Sequence, residues 1–340
     1  MKKLATFLLL VPALLLSSCR DGEIDKSKIA LDFGREFKND ITDLSKLGEL
    51  NYSQLIDIID KKQNFVLLVY NEGCGCWTDF RPVVKEFFNR YKIDFKIVNV
   101  DEIPGNNKYD IYTGKSLMPS ICFFRRGKLI RQTVYGKLKA ENRQLFKEYD
   151  AFEEYMFKNI YLPKMYYLDK EALDAKISND SSFNLYIGRS ACGDCIEIEQ
   201  SVLYKWSTSL KSTIPQNILY VFDIQQYRGT AEYQSIKDQY GLSTTINTTF
   251  GYGEGCVPTF QRITNGDISD MITVLNDSKD ENNIIHSYFN EDRVNASPML
   301  RSHSSEYIFD GKEYEDKFDR TLQLEWHSPI VELYLNTYVK

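Results

Sequence analysis

The sequence predicts an α/β protein built from two tandem units of one design, and three observations carry that prediction. Each half reads β-α-β-α-β-α-β-β from its alternation of apolar runs and helical faces. Each half places cysteines where its second strand runs into a helix, as Cys74-Gly75-Cys76 in the first and Cys192-Gly193-Asp194-Cys195 in the second. Each half also carries a proline directly ahead of its final hairpin, Pro119 and Pro258.

The chain opens with Lys2 and Lys3, followed by an apolar run from Leu4 to Leu16. That run falls short of the roughly 20 residues a membrane-spanning helix needs. It has the layout of a secretory signal peptide instead. It ends in Leu16-Ser17-Ser18-Cys19, which resembles the lipobox of bacterial lipoproteins. The resemblance implies that residues 1–18 are removed and that Cys19 receives a lipid. The protein would then be held at the cell membrane, facing the extracytoplasmic side, where disulfides persist. An ordinary signal peptide with an incidental cysteine is the alternative. Residues 19–46 are polar and charged and read as a tether.

The first unit is expected over 47–162. Phe65 to Tyr70 (FVLLVY) is apolar at every position and reads as a buried strand leading into Cys74-Gly75-Cys76-Trp77. Phe80, Val83, Val84, Phe87 and Phe88 then recur at helical spacing. Asp94 to Val100 is a strand, and Ser120 to Phe124 turns at Arg126-Gly127 into Lys128 to Val134. The second unit, 163–340, opens with a short strand at Met165 to Leu168 and a helix over Lys170 to Ile177. Phe183 to Ile187 is the buried strand before the CGDC motif, and Ile196, Ile198, Val202, Leu203 and Trp206 follow on a helical face. Asn217 to Ile224 is a strand and Thr230 to Tyr240 a helix. Asn265-Gly266 is a strong turn signal for the closing hairpin. A polar insertion from Asn276 to about Glu315 separates that hairpin from a last helix around Ile330 to Tyr338.

Composition narrows the function. A net charge of −6 and the lack of a basic stripe with interleaved aromatics argue against nucleic acid as a partner. No P-loop, nucleophile elbow or dinucleotide fingerprint occurs, and no cofactor is predicted. One CxxC is half of a common zinc site, but no second CxxC or HxxxH completes it. His286, His303 and His327 show no ligand spacing, so no metal is predicted. The cysteine pairs remain as the chemistry. A thiol at a helix N-terminus faces unpaired N–H groups and the positive end of the helix dipole, and both favour the thiolate.

These elements resemble the thioredoxin family twice over. Cys192, Gly193 and Cys195, the Val257-Pro258-Thr259-Phe260 loop and the Asn265-Gly266 turn carry the likeness in the second half. In the first half it rests on Cys74-Gly75, Pro82, Met118-Pro119 and Arg126-Gly127-Lys128. The resemblance implies two tandem thioredoxin folds, each a mixed central sheet flanked by helices. It implies cis bonds before Pro258 and Pro119, with Val257 and Met118 placed to contact an extended substrate as an added strand. The stretch Tyr186-Ile187-Gly188-Arg189 is similar, more weakly, to bacteriocin-transport accessory proteins of Gram-positive bacteria.

Departures from the family pattern qualify that reading. Ala191 stands where thioredoxins carry Trp, and Asp194 replaces their Pro, adding a charge that opposes a neighbouring thiolate. The family's buried carboxylate on the preceding strand is replaced by Tyr186 in the second half and Leu68 in the first, leaving neither resolving thiol its usual proton acceptor. In the first site Trp77 occupies the second cysteine's place, giving CxC at Cys74 and Cys76. That site is either a disulfide donor or isomerase-like centre, or a unit kept for binding. Cys122 is expected in the core, and Cys256, two residues before Pro258, is a candidate third exchangeable thiol. The expected function is a lipid-anchored extracytoplasmic thiol–disulfide oxidoreductase acting on protein thiols or disulfides through Cys192 and Cys195. The alternative is a non-catalytic binding lipoprotein in which those two cysteines form a structural bridge.

Overall fold

The computed structural model describes residues 27–209, 218–243, 249, 256–273, 278–279, 284–286, 296–303, 314–315 and 330–339. The leader and Cys19 lie outside them. Two sheets organise the chain, each flanked by helices, as tandem thioredoxin folds require.

In the first unit, β3 (Phe65–Tyr70) pairs in parallel with β4 (Lys96–Asn99) and antiparallel with β5 (Ser120–Arg125), which turns into β6 (Lys128–Val134). All six residues of β3 are buried because helices cover both of its faces. Val66, Leu68 and Tyr70 pack with Phe80, Val84 and Phe87 of α2 (Gly75–Tyr91) and Phe152 of α3 (Tyr149–Asn159). Leu67 and Val69 point the other way, onto Leu55 and Ile59 of α1 (Tyr52–Asp60). Asn51 and Gln54 form a reciprocal cap at the start of α1. At the hairpin turn, Gly127 has φ +71°, and a Cβ there would lie 2.1 Å from the Ile59 carbonyl oxygen.

Two expected elements of this unit are reduced. Its first strand is a single bridge between Glu49 and Ile97. The helix expected between β4 and β5 is replaced by two short 3₁₀ turns, Val100–Glu102 and Lys115–Leu117. Pro104-Gly105-Asn106-Asn107 explains the loss, since Pro and Gly are the poorest helix formers and Asn favours turns.

The second unit has a six-stranded sheet in the order β12-β11-β9-β10-β8-β2. β8 (Met165–Leu168), β10 (Leu219–Asp223) and β9 (Phe183–Gly188) run parallel, while β11 (Thr259–Thr264) and β12 (Asp267–Thr273) are antiparallel. Leu185 and Ile187 pack towards Leu173 of α4 (Lys170–Ser178) and Ile236 of α7 (Tyr233–Gln239). Tyr186 faces the other layer with Ile198, Val202 and the last helix, over 330–338. That helix buries Ile330, Val331, Leu333, Tyr334 and Leu335 where their spacing predicts.

The tether expected over 19–46 is not one in its described part. Ile29–Ala30 (β1) pairs with Ile160–Tyr161 (β7), and Phe33–Glu36 (β2) adds the outer parallel strand beside β8. Ile29, Leu31, Ile41 and Leu44 are buried, and these apolar side chains among charged neighbours dock the segment. Gly34 permits the closest approach. It bridges to Ile93 of the first unit while paired with Tyr166 of the second, and a Cβ there would stand 2.6 Å from the Lys92 carbonyl oxygen. Gly34→Ala is therefore expected to cost about 1–3 kcal/mol by overpacking. A denaturant melt reads this, and an unchanged midpoint would mean that β2 contributes nothing to stability.

The described residues of the insertion over 276–315 include regular elements. Ser278–Lys279 (β13), Ile284–His286 (β14) and Tyr314–Glu315 (β15) form a small antiparallel sheet. The helix Pro298–Ser302 sends Met299 and Leu300 into the core. Buried Asp270 on β12 holds this helix. Its carboxylate accepts from Ser297 Oγ (2.6 Å), Met299 N (2.9 Å) and Tyr338 Oη (2.5 Å).

Candidate functional site

β9 ends at Gly188, and after Arg189, Ser190 and Ala191 the chain enters α5 (Gly193–Ile198) with Cys192 as its N-cap. Cys192 is extended (φ −94°, ψ 123°), its N–H donates to the Arg189 carbonyl at 2.9 Å, and its own carbonyl accepts from Ile196 N at 3.0 Å. The helix continues through a π-turn, Glu199–Leu203, into α6 (Tyr204–Ser209). Because Thr259 pairs with Ile187, the residues just before β11 reach the end of β9. The Val257–Pro258 bond is cis, as the sequence predicts, and the Cys192 Sγ stands 3.8 Å from the Val257 carbonyl oxygen.

The two thiols of this pair are driven apart. Cys192 is lowered to about 6, foremost by the hydrogen bond with the Cys195 thiol, against the opposing effect of burial. The Cys195 backbone N–H and the Arg189 side chain add to the lowering, and the Asp194 carboxylate opposes it, as its charge predicts. That opposition is the weakest of the named influences, so Asp194 does not cancel the activation. Cys195 is pushed far above an ordinary thiol by the same hydrogen bond and by burial. Cys192 thus carries the charge and Cys195 keeps the proton.

The strand before the motif carries no carboxylate, as the sequence reading has it, and Tyr186 stands in that place. Tyr186, wholly buried, donates from its hydroxyl to Glu199 Oε1 at 3.0 Å and acts on the Cys195 thiol in the lowering direction, against burial. The carboxyl comes from the helix rather than from the strand. The signal that could have found it is the i, i+4 spacing of Cys195 and Glu199, which puts both on one helix face.

The first site repeats the geometry with one thiol displaced. Cys74 is the N-cap of α2, and its thiol donates to the Met118 carbonyl at 3.2 Å, beside the cis Met118–Pro119 bond. Cys76 lies within hydrogen-bond reach of Cys74 and is pushed up, first by burial and then by that contact. Trp77 fills the second cysteine's place, buried and stacked on Tyr70 with ring centroids 4.8 Å apart. Leu68, at the carboxylate's position, is buried among apolar side chains.

Cys74, Cys76, Cys122, Cys192, Cys195 and Cys256 carry no disulfide in this structure. Cys122 is buried opposite Leu67 and pushed to about 12 by burial, so the core reading fits it. Cys256 is partly exposed, and its carbonyl accepts from Thr259 Oγ1 at 2.8 Å. Met118, Pro119, Val257 and Pro258 are all buried. Among the described residues, no group of His, Cys, Asp and Glu is placed to hold a metal, and no helix is long and apolar enough to cross a membrane.

No family model and no curated protein matches the chain. Solved structures do. The oxidized mitochondrial thioredoxin 3 of Saccharomyces cerevisiae is 22% identical over 26% of this chain and 83% of its own, with a TM-score of 0.22. Human ERp44 in form I is 14% identical over 87% of this chain and 61% of its own, with a TM-score of 0.33. The first two thioredoxin domains of Naumovozyma dairenensis Eps1p are 13% identical over 79% of this chain and 97% of their own, with a TM-score of 0.22. The fold assignment rests instead on strand order and on the thiol that faces a cis proline in each half. By those features the chain is a tandem pair of thioredoxin-like folds, the second holding a hydrogen-bonded dithiol.

Proposed function

We propose that the protein is a thiol–disulfide oxidoreductase acting on protein thiols or disulfides through Cys192 and Cys195. The observation that carries this reading is the split pair, with Cys192 lowered to about 6 next to a thiol that keeps its proton. In the reducing direction the Cys192 thiolate attacks one sulfur of a substrate disulfide, and the other leaves with the electron pair. Cys195 then attacks Cys192 Sγ, and the second substrate sulfur leaves as a thiolate. The protein pair ends as a disulfide and the substrate as two thiols; the oxidising direction runs these steps backwards. The Val257 main chain offers an extended substrate a place to pair as an added strand, and Cys256 beside it is a third thiol within the same loop.

The lipobox-like Leu16-Ser17-Ser18-Cys19 supports a mature chain lipidated at Cys19 and held on the extracytoplasmic face of the cell membrane. The likeness of Tyr186-Ile187-Gly188-Arg189 to bacteriocin-transport accessory proteins points to no particular substrate. The Cys74–Cys76 site keeps both readings, a strained and oxidising pair or a binding unit.

Equilibration in glutathione buffers, followed by alkylation and mass spectrometry, tests the redox reading. The Cys192–Cys195 pair is expected to change state between about −270 and −120 mV, the span of known exchange proteins. A pair still oxidised below about −300 mV would be a structural bridge, and the binding-protein alternative would hold.

A further inference from the structure

Resolution of a mixed disulfide needs the Cys195 thiol to lose its proton, and burial holds that proton on. We propose that Glu199, acting through the Tyr186 hydroxyl, accepts the proton of Cys195 as the mixed disulfide is resolved. This rests on the thiol–disulfide reading of the same site.

Position is the first argument. Glu199 lies four residues beyond Cys195 on the same helix and opens the π-turn Glu199–Leu203. Such single π-turns recur at functional sites. The second argument is connectivity. The Tyr186 hydroxyl donates to Glu199 Oε1 at 3.0 Å and lies close enough to the Cys195 thiol to act on its proton. A phenol can accept one proton while giving up its own, so the Tyr186 hydroxyl can pass a proton from thiol to carboxylate.

Environment is the third argument. Glu199 meets Tyr186 from β9, Tyr204 from its own helix, Tyr167 from β8, Asp223 from β10 and the Cys192 thiolate. Asp32, between β1 and β2, acts on Tyr204. Burial raises Glu199 to about 7, helped by Asp223 and Cys192, while the hydrogen bonds from Tyr186 and Tyr204 work in the other direction. A carboxyl poised near neutral pH suits proton transfer.

The step balances. The Cys195 proton passes to the Tyr186 oxygen as the Tyr186 proton passes to Glu199. The Cys195 sulfur pair forms the bond to Cys192 Sγ, and the bond from Cys192 to the substrate breaks. The substrate sulfur leaves with that pair and is protonated by water. In the oxidising direction Glu199 returns the proton to Cys195. Only the carboxylate form can accept, so resolution accelerates as pH rises through about 7 and slows below it.

The test uses the full chain, reduced and mixed with the aromatic disulfide dithiobis-nitrobenzoate. Quenched-flow mass spectrometry follows the nitrobenzoate adduct on the Cys192 peptide and its conversion to the Cys192–Cys195 bridge. Glu199→Gln is expected to slow adduct decay by on the order of 10²-fold at neutral pH and to abolish the inflection near pH 7, with adduct formation unchanged. Tyr186→Phe should show the same pattern. Unchanged adduct formation is also the check that the variants retain their fold around Cys192. If the adduct decays in Glu199→Gln with the wild-type rate and pH profile, the relay is wrong and the thiol–disulfide reading stands. If no adduct ever forms at Cys192 in the wild type, both fall.

Discussion

Cys192→Ser is expected to lower disulfide-exchange turnover by on the order of 10³-fold or more, because the covalent route disappears with its nucleophile. Cys195→Ser should behave differently, keeping the first attack and accumulating the mixed disulfide. The asymmetry follows from the split pair. Cys192 is lowered to about 6, so at neutral pH it is mostly thiolate, while Cys195 remains a thiol. The sign of the pH dependence follows as well. Alkylation of Cys192 should be nearly flat above pH 7, reach half its maximum near 6 and fall off below, as the thiolate is protonated. The Cys195→Ser variant should shift that midpoint upward, since it exchanges the thiol that most lowers Cys192. Peptide-resolved alkylation across a pH series checks both statements. A midpoint at about 8.5, the value of an ordinary cysteine, would show that the helix start and its neighbours do not activate this thiol.

Asp270→Ala is expected to be the most damaging single change to the second unit's stability. Its carboxylate is buried and accepts from Ser297 Oγ, Met299 N and Tyr338 Oη, and from Met271 N at 2.7 Å. Alanine leaves three of those donors, Ser297 Oγ, Met299 N and Met271 N, buried without this partner, at about 1–3 kcal/mol each, so a loss of at least about 3 kcal/mol is expected. The same change frees the short helix at Pro298 and one tie to the last helix, both of which cover the Tyr186 face of the sheet. Calorimetry of the full chain should show the second unit's transition moving down while the first unit's stays. A shift worth less than about 1 kcal/mol would mean that apolar packing of Met299 and Leu300 alone holds the insertion.

What could be read along the chain was local. The FVLLVY and FNLYIG runs became central strands, because a strand covered on both faces must be apolar at nearly every position. Both prolines ahead of the hairpins carry cis bonds, and Asn265-Gly266 forms the turn with φ +51° and +81°. The missing helix before β5 was legible too, in Pro104-Gly105, but the repeat with the second half concealed it. Glu199 is marked in the sequence only by its i, i+4 spacing from Cys195, and the packed Tyr186 hydroxyl is what meets this carboxyl in the fold.

By itself, then, the sequence determined the two-unit α/β plan, the thiols at the two helix starts and the prolines that face them. Those features depend on residue type and spacing over short stretches. Tertiary structure alone decided that Phe33–Glu36 joins a sheet whose partner strand begins at Met165, that Asp270 fastens the polar insertion, and that the Tyr186 hydroxyl meets Glu199. Each of these joins groups far apart in the chain or on different elements. Their energies come from burial and from satisfying buried polar groups, which no local pattern of residues records.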